Sequence, residues 1–188
     1  MADLGDVDAA TLIVETQRLQ LRKLALSDAQ FLVTLLNDPS WQRNIGDRGV
    51  RNDADAEGYI RNSVWSQYQA HGFGMYVVQL RATALPIGLC GLVKREFLGA
   101  PDVGFALLPA YVGQGYAFEA AHALMGYATS ELGIERLYAI VKPGNDRSVR
   151  LLERLGFRHE GLRQVPQGAE VDLYTTDCKP HRKEHGCG

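Results

Sequence analysis

Gly113 and Gly115 stand two positions apart, behind an apolar run that ends at Pro109 and ahead of an Ala-rich segment. Pro109 cannot donate to a sheet ladder. A Gly-bearing turn between a strand and a helix aims several unpaired backbone N–H groups at one spot, at the helix's positive end. The stretch from Val103 to Ala120 therefore reads as strand, turn and helix with an anion site in the turn. Residue types leave the anion open. Gly113-x-Gly115 is part of G-x-G-x-x-G, but Phe118 occupies the last glycine position and no Lys-Ser/Thr pair follows as in a P-loop. Glu119 lies in the first helical turn, where the dipole favours a carboxylate. Asn145 can cap a second helix, and Ser148 sits in that helix's first turn, where serine is favoured. His122 falls on an apolar helical face and reads as a core histidine. His181, His185 and Cys187 form too poor a set for a closed metal site, so no metal is expected.

These residues need elements to hold them. From Gln17 to Leu24, Leu19 and Leu21 alternate with Gln20 and Arg22, the pattern of a half-buried strand. Ser27 reads as a helix N-cap with Gln30 as its capping-box partner, ahead of an apolar face of Phe31, Leu32, Leu35 and Leu36. Asn37-Asp38-Pro39 stops that helix, and Ser40–Val50 reads as a loop carrying Trp41 and Ile45. Asn52 caps a second helix that ends at Gly72. Strands Gly74–Arg81 and Pro86–Arg95 form an antiparallel hairpin, and glycines inside the second hint at a bulge or a close-approaching ligand. The strand near Asp102–Leu108 feeds the helix Gly115–Leu132. Strand Arg136–Lys142, a short helix closed by Gly156, and a hairpin of Phe157–Val165 with Glu170–Thr176 complete the chain. Residues 1–13 read as a flexible arm, 14–177 as one domain and 178–188 as a flexible tail. The fold class is α+β: a mixed, mostly antiparallel sheet with helices on both faces.

Composition narrows the function. The 188 residues carry a formal net charge of −2 and a pI near 6.2, which argues against a nucleic-acid surface or a polybasic membrane patch. No apolar stretch approaches the roughly 20 residues of a membrane span. The acidic start at Met1–Asp6 is unlike a signal peptide. Cys90, Cys178 and Cys187 give no even disulfide framework; Cys90 reads as a small core residue, and a reducing cytoplasm fits best. Antiparallel surroundings disfavour a Rossmann sheet around the glycine turn.

The chain resembles the GNAT superfamily of acyl-CoA-dependent N-acyltransferases, and within it the RimJ/RimL-like branch of ribosomal-protein N-terminal acetyltransferases. The resemblance rests on Glu15-Thr16-Gln17-Arg18-Leu19-Gln20-Leu21-Arg22, on Asp102-Val103-Gly104-Phe105, on Gly113–Ala120 and on Asn145–Phe157, in that order and spacing. It implies a splayed pair of central strands and acetyl-CoA as acyl donor. Val112, Gly113, Gln114, Gly115, Tyr116 and Ala117 would form the pyrophosphate loop. Phe105, Leu107 and Leu108 would face the pantetheine, with an amide of Leu107 or Leu108 polarising the oxyanion. Asn145 and Ser148 would lie against the cofactor. The resemblance makes Asp102 the candidate base, and Ser148, or a water it holds, is the candidate proton donor to the leaving thiolate. Trp41, Arg43, Ile45 and Arg48 would line the acceptor side. Two positions depart from the superfamily pattern: Val112 replaces the Gln or Arg that usually opens the loop, and Leu152 replaces a Tyr that protonates the thiolate in many members. The implied function is acetyl transfer to a primary amine, a protein N-terminus or a small molecule. A non-catalytic acyl-CoA-binding module on the same fold is the alternative, and a homodimer stays open.

Overall fold

Eight strands build one sheet in the order β1-β2-β3-β4-β5-β6-β8-β7. The computed structural model describes residues 10–166 and 168–177. The cysteines and histidines of the tail lie outside the described residues. The strands are β1 (Leu12–Glu15), β2 (Leu19–Lys23), β3 (Met75–Leu80), β4 (Pro86–Val93), β5 (Asp102–Leu107), β6 (Arg136–Val141), β7 (Arg158–Gln164) and β8 (Glu170–Asp177). Every neighbouring pair is antiparallel except β5 with β6. The α+β class and mostly antiparallel sheet expected from the sequence are found. Leu12 and Ile13, expected in the arm, already belong to β1.

Successive side chains of a strand point to opposite faces. Tyr76 to Gln79 on β3 and Ile87 to Leu92 on β4 are all buried, so both faces of the central strands are covered. Gly91 allows the β3–β4 contact to be close: a Cβ there would stand 2.3 Å from the Gly74 carbonyl oxygen. Gly88 faces the Ala106 carbonyl in the same way, and the β3 register shifts between Val78 and Gln79. A bulge and tight strand packing therefore account for the β4 glycines.

Four short helical segments join β2 to β3. The first, α1 (Ala29–Leu36), follows a 3-10 turn at Leu26–Asp28. Asp28, rather than the expected Ser27 and Gln30, organises this start: its carboxylate accepts from the Ala25 amide at 2.9 Å and from Arg22 at 2.7 and 2.8 Å. Arg22 is partly buried on β2, so the pair ties the helix start to the sheet. Next, α2 (Pro39–Asn44) turns the first half of the expected loop into a helix, with Asp38 as N-cap and Pro39 at its first position. Asn52 caps α3 (Asp53–Tyr59) as expected, accepting from the Asp55 amide at 2.9 Å. A π-helical turn, Ile60–Trp65, leads into α4 (Ser66–His71), which ends at Gly72 with φ +76°.

The long helix α5 (Tyr116–Ser130) packs on β1, β2, β4 and β5 through Ala120, Ala121, Leu124 and Ala128. His122, expected in the core, is exposed and stacks on Phe118 with ring centroids 5.7 Å apart. The small alanine face lets the helix lie close to the sheet, while Tyr116, Phe118 and Tyr127 pack at the margin of the core. The last helix, α6 (Asp146–Arg154), buries Leu152 and lies against β6. Cys90 is a buried free thiol, as expected, and burial pushes it up to about 12.

Candidate active site

In a regular antiparallel pair, backbone groups alternate between facing the partner and facing away. The Leu108 amide donates to the Ile87 carbonyl at 2.8 Å, which sets the phase along β5. Ala106 and Gly104 then bond to β4, while Phe105 and Leu107 turn their N–H and C=O groups toward β6. Yet β5 and β6 pair at one register position only, Asp102 with Tyr138. Beyond it the strands part, so a gap lined by unpaired backbone groups opens beside Phe105 and Leu107. The Leu108 amide, one of the two expected to polarise an oxyanion, is taken by Ile87; the Leu107 amide faces the gap.

Asp102 sits where the gap begins. Its Oδ1 accepts from the Ile140 amide at 3.1 Å and its Oδ2 from Arg95 Nε at 2.6 Å. Only 2% of the residue is exposed. Burial is the dominant influence and raises its pKa to about 6, against the opposing pull of Arg95 and the Ile140 amide. Both oxygens are engaged and no face is open to water. The carboxylate expected as a base is thus buried between β5 and β6, held by Arg95 and the Ile140 amide.

At the C-terminal end of β5 the chain makes a single 3-10 turn, Pro109–Tyr111, and then the glycine turn. Gly113 and Gly115 have φ +83° and +84°, the left-handed region that glycine adopts at little cost. Among the described residues the amides of Gly113, Gln114 and Gly115 have no backbone acceptor. Those of Tyr116, Ala117 and Phe118 are first-turn donors that an α-helix leaves over. The turn expected to hold an anion thus presents donors from the backbone alone. Val112 supplies no charge to it, and its side chain is half-buried.

The second expected element lies across the gap. Asn145 Oδ1 caps α6 by accepting from the Ser148 amide at 3.3 Å. Among the described residues, the Ser148 hydroxyl has no hydrogen-bond partner, and the side chain is half-buried. Leu152, one turn on, is fully buried. On the acceptor side, Arg43, Ile45 and Arg48 are exposed, whereas Trp41 is buried in the core, so it supports this loop rather than lining it. Lys142 Nζ donates to the Arg43 carbonyl at 2.9 Å and ties the end of α2 to the end of β6.

Two arginines not singled out in the sequence hold these elements in place. Arg95 carries no motif and follows β4 by two positions. Arg18 was visible only as part of the N-terminal signature. In the fold it reaches 101 residues along the chain: its Nε meets Glu119 Oε2 at 2.6 Å and its Nη1 the Gln114 carbonyl at 3.1 Å. Burial raises Glu119, but bonds from Thr16 and Arg18 more than reverse this and leave it below its ordinary value.

The site is thus a mostly antiparallel sheet that parts at one central pair, with a glycine turn of unpaired backbone amides after β5. Residues 18–158 match the family model described as an acetyltransferase (GNAT) domain. The chain belongs to the GNAT family and is an acetyltransferase. It is 31% identical over 166 residues to an uncharacterised N-acetyltransferase of Bacillus licheniformis, covering 85% of this chain and 91% of that one. An acetyltransferase from Agrobacterium tumefaciens superposes with a TM-score of 0.73 at 25% identity, over 89% of this chain and 95% of that one. RimL, a ribosomal alpha-N-protein acetyltransferase solved with coenzyme A, shares the fold with a TM-score of 0.76 at 20% identity, over 88% and 97%. Among the described residues no cluster of three His, Cys, Asp or Glu side chains could hold a metal, and no helix is long and apolar enough to cross a membrane.

Proposed function

We propose that the chain moves an acetyl group from acetyl-CoA to a primary amine by direct attack while both substrates are bound. The observation that carries this is the gap after Asp102, which leaves the Phe105 and Leu107 backbone groups unpaired in line with the glycine turn. Phe105 and Leu107 add the pantetheine arm to β5 as a further strand would be added. Amides of Gly113 to Ala117 take the pyrophosphate. Asn145 and Ser148 close the other side.

In the transfer the amine nitrogen bonds to the thioester carbon, and the oxygen gains the negative charge. The Leu107 amide meets that oxyanion; a backbone donor in this role is worth about 3 kcal/mol. The carbon–sulfur bond then breaks, and the thiolate takes a proton from Ser148 or a water it holds. Nitrogen gives up one proton in exchange, so the balance is neutral. An α-amino group with a pKa near 8 is already about a tenth neutral at pH 7, far more than a lysine side chain. No buried base is required for such an acceptor, and Asp102 serves by holding the gap. RimL's acceptor, a ribosomal protein N-terminus, supports a peptide acceptor here; a small-molecule amine is the second choice.

One observation favours a different reading, a module that binds acyl-CoA without turnover: Leu152 is buried where a thiolate donor would stand. A thiol-release assay decides between them. Acetyl-CoA with a panel of peptide α-amines and small amines should yield free CoA thiol. Tight binding of acetyl-CoA with no release for any amine selects the binding module.

A further inference from the structure

The glycine turn is gripped from behind by an element with no part in the anion site. Arg18 closes the β1–β2 turn, and its own backbone is fixed twice. Its amide donates to Glu119 Oε1 at 3.0 Å, and its carbonyl accepts from the Arg81 amide at 2.9 Å. Its side chain then holds Gln114 and Tyr116 and passes close to Gly115 between them. Nη1 holds the Gln114 carbonyl at 3.1 Å, the guanidinium lies 4.5 Å from the Tyr116 ring centre, and Nη2 stands 3.4 Å from where a Gly115 Cβ would be.

A trans peptide points its C=O and N–H in opposite directions. Whatever holds the Gln114 carbonyl therefore fixes where the Gly115 N–H points. With glycine on both sides of Gln114, this peptide plane has little else to hold it: Gly113 and Gly115 rotate freely, and the Gln114 side chain is turned back to the Ala110 carbonyl at 2.8 Å.

We propose that Arg18 is a positioning residue for the donor. By gripping the Gln114 carbonyl it locks the 114–115 peptide, so that the Gly115 N–H is presented on the opposite side, to the pyrophosphate of the acyl donor. This rests on the acetyl-CoA reading above. It gives the turn a second support in place of the polar side chain absent at Val112. Glu119 sets the guanidinium in place through Nε, and the planar fork reaches both partners at once. Lysine, a single point donor, cannot do both.

The test compares two acyl donors, acetyl-CoA and S-acetylpantetheine, which lacks the pyrophosphate. Arg18→Lys keeps a cation beside Glu119 but gives up the Gln114 carbonyl. The expected result is a rise of about tenfold in KM for acetyl-CoA, matching the loss of one charge-assisted hydrogen bond. The preference for acetyl-CoA over S-acetylpantetheine, as a ratio of kcat/KM, falls by the same factor. Arg18→Gln should fall at least as far. A wild-type donor ratio in Arg18→Lys overturns the proposal, and so does an equal loss with both donors, which marks general loosening. Failure of the underlying reading looks different: wild-type protein would then show no thermal shift with CoA, and Gly115→Val would change nothing.

Discussion

The Ile140 amide donates to Asp102 Oδ1 at 3.1 Å, where a continuing parallel ladder would give it the Val103 carbonyl. A side chain thus stands in for a strand at the point where β5 and β6 separate. Buried amides need an acceptor, and this one is satisfied without drawing the strands together. Arg95 holds the carboxylate from the other side and keeps its charge compensated.

Asp102→Ala should therefore act on the fold before it acts on chemistry. It leaves the Ile140 amide without an acceptor and Arg95 without its carboxylate. The expected loss is about 2–3 kcal/mol, below the range for a fully buried pair because Arg95 is 30% exposed. Urea unfolding measures it. A loss within 0.5 kcal/mol of zero, the roughly neutral range of surface changes, would show that the contact does not hold the strands.

The same residue predicts a pH dependence. Asp102 is raised to about 6 in the folded chain, against an ordinary value near 4 when unfolded. Between these values the folded state binds the extra proton. Its contribution is fully present below about pH 4 and is lost as pH rises through about 6. Asp102→Asn cannot titrate, so the difference in stability between wild type and variant should change across that window and be level outside it. In turnover, Asp102→Asn should keep the rise of kcat/KM that follows the acceptor amine. Loss of a separate limb near pH 6 would instead make Asp102 the base.

Gly115→Val separates the anion turn from the fold. At φ +84° a side chain is strained by about 1–2 kcal/mol, while its Cβ would only touch Arg18 Nη2 at 3.4 Å, so the strain is in the backbone. The turn can relieve this only by rotating the 114–115 peptide, which withdraws the donor. Calorimetry should show acetyl-CoA affinity reduced more than tenfold with a melting temperature lowered by a few degrees. Unaltered affinity would place the pyrophosphate elsewhere.

Much of this architecture was legible because it is local. Gly113 and Gly115, the Asn52 and Asn145 caps and the stop at Gly72 each follow from one residue's backbone preference or one short-range bond. The contacts that finish the site are long-range. Arg18 meets Glu119 across 101 residues, and Ile140 meets Asp102 across 38. No periodicity marks such pairs. His122 misled for a different reason: the aromatic and histidine positions of α5 look like a core face, but the close approach of β4 and β5 selects the alanines. The π turn at Ile60–Trp65 left no composition signal; Trp65 fits it by donating to the Leu24 carbonyl at 2.9 Å.

Ile45 offers a test on the acceptor side alone. It follows α2 directly and is 41% exposed. The Lys142–Arg43 contact ties this segment to the end of β6, two residues past the Ile140 amide that Asp102 accepts from. An acceptor entering there would cover Ile45, and an apolar side chain of this size gains about 1.5–3 kcal/mol on full burial. Ile45→Asp should therefore raise the acceptor's KM by about tenfold. KM for acetyl-CoA and the melting temperature should stay close to wild type, because the side chain touches neither the glycine turn nor the core. Steady-state kinetics with each substrate varied in turn would show it. A rise in the acetyl-CoA KM instead would move the acceptor's entrance away from α2.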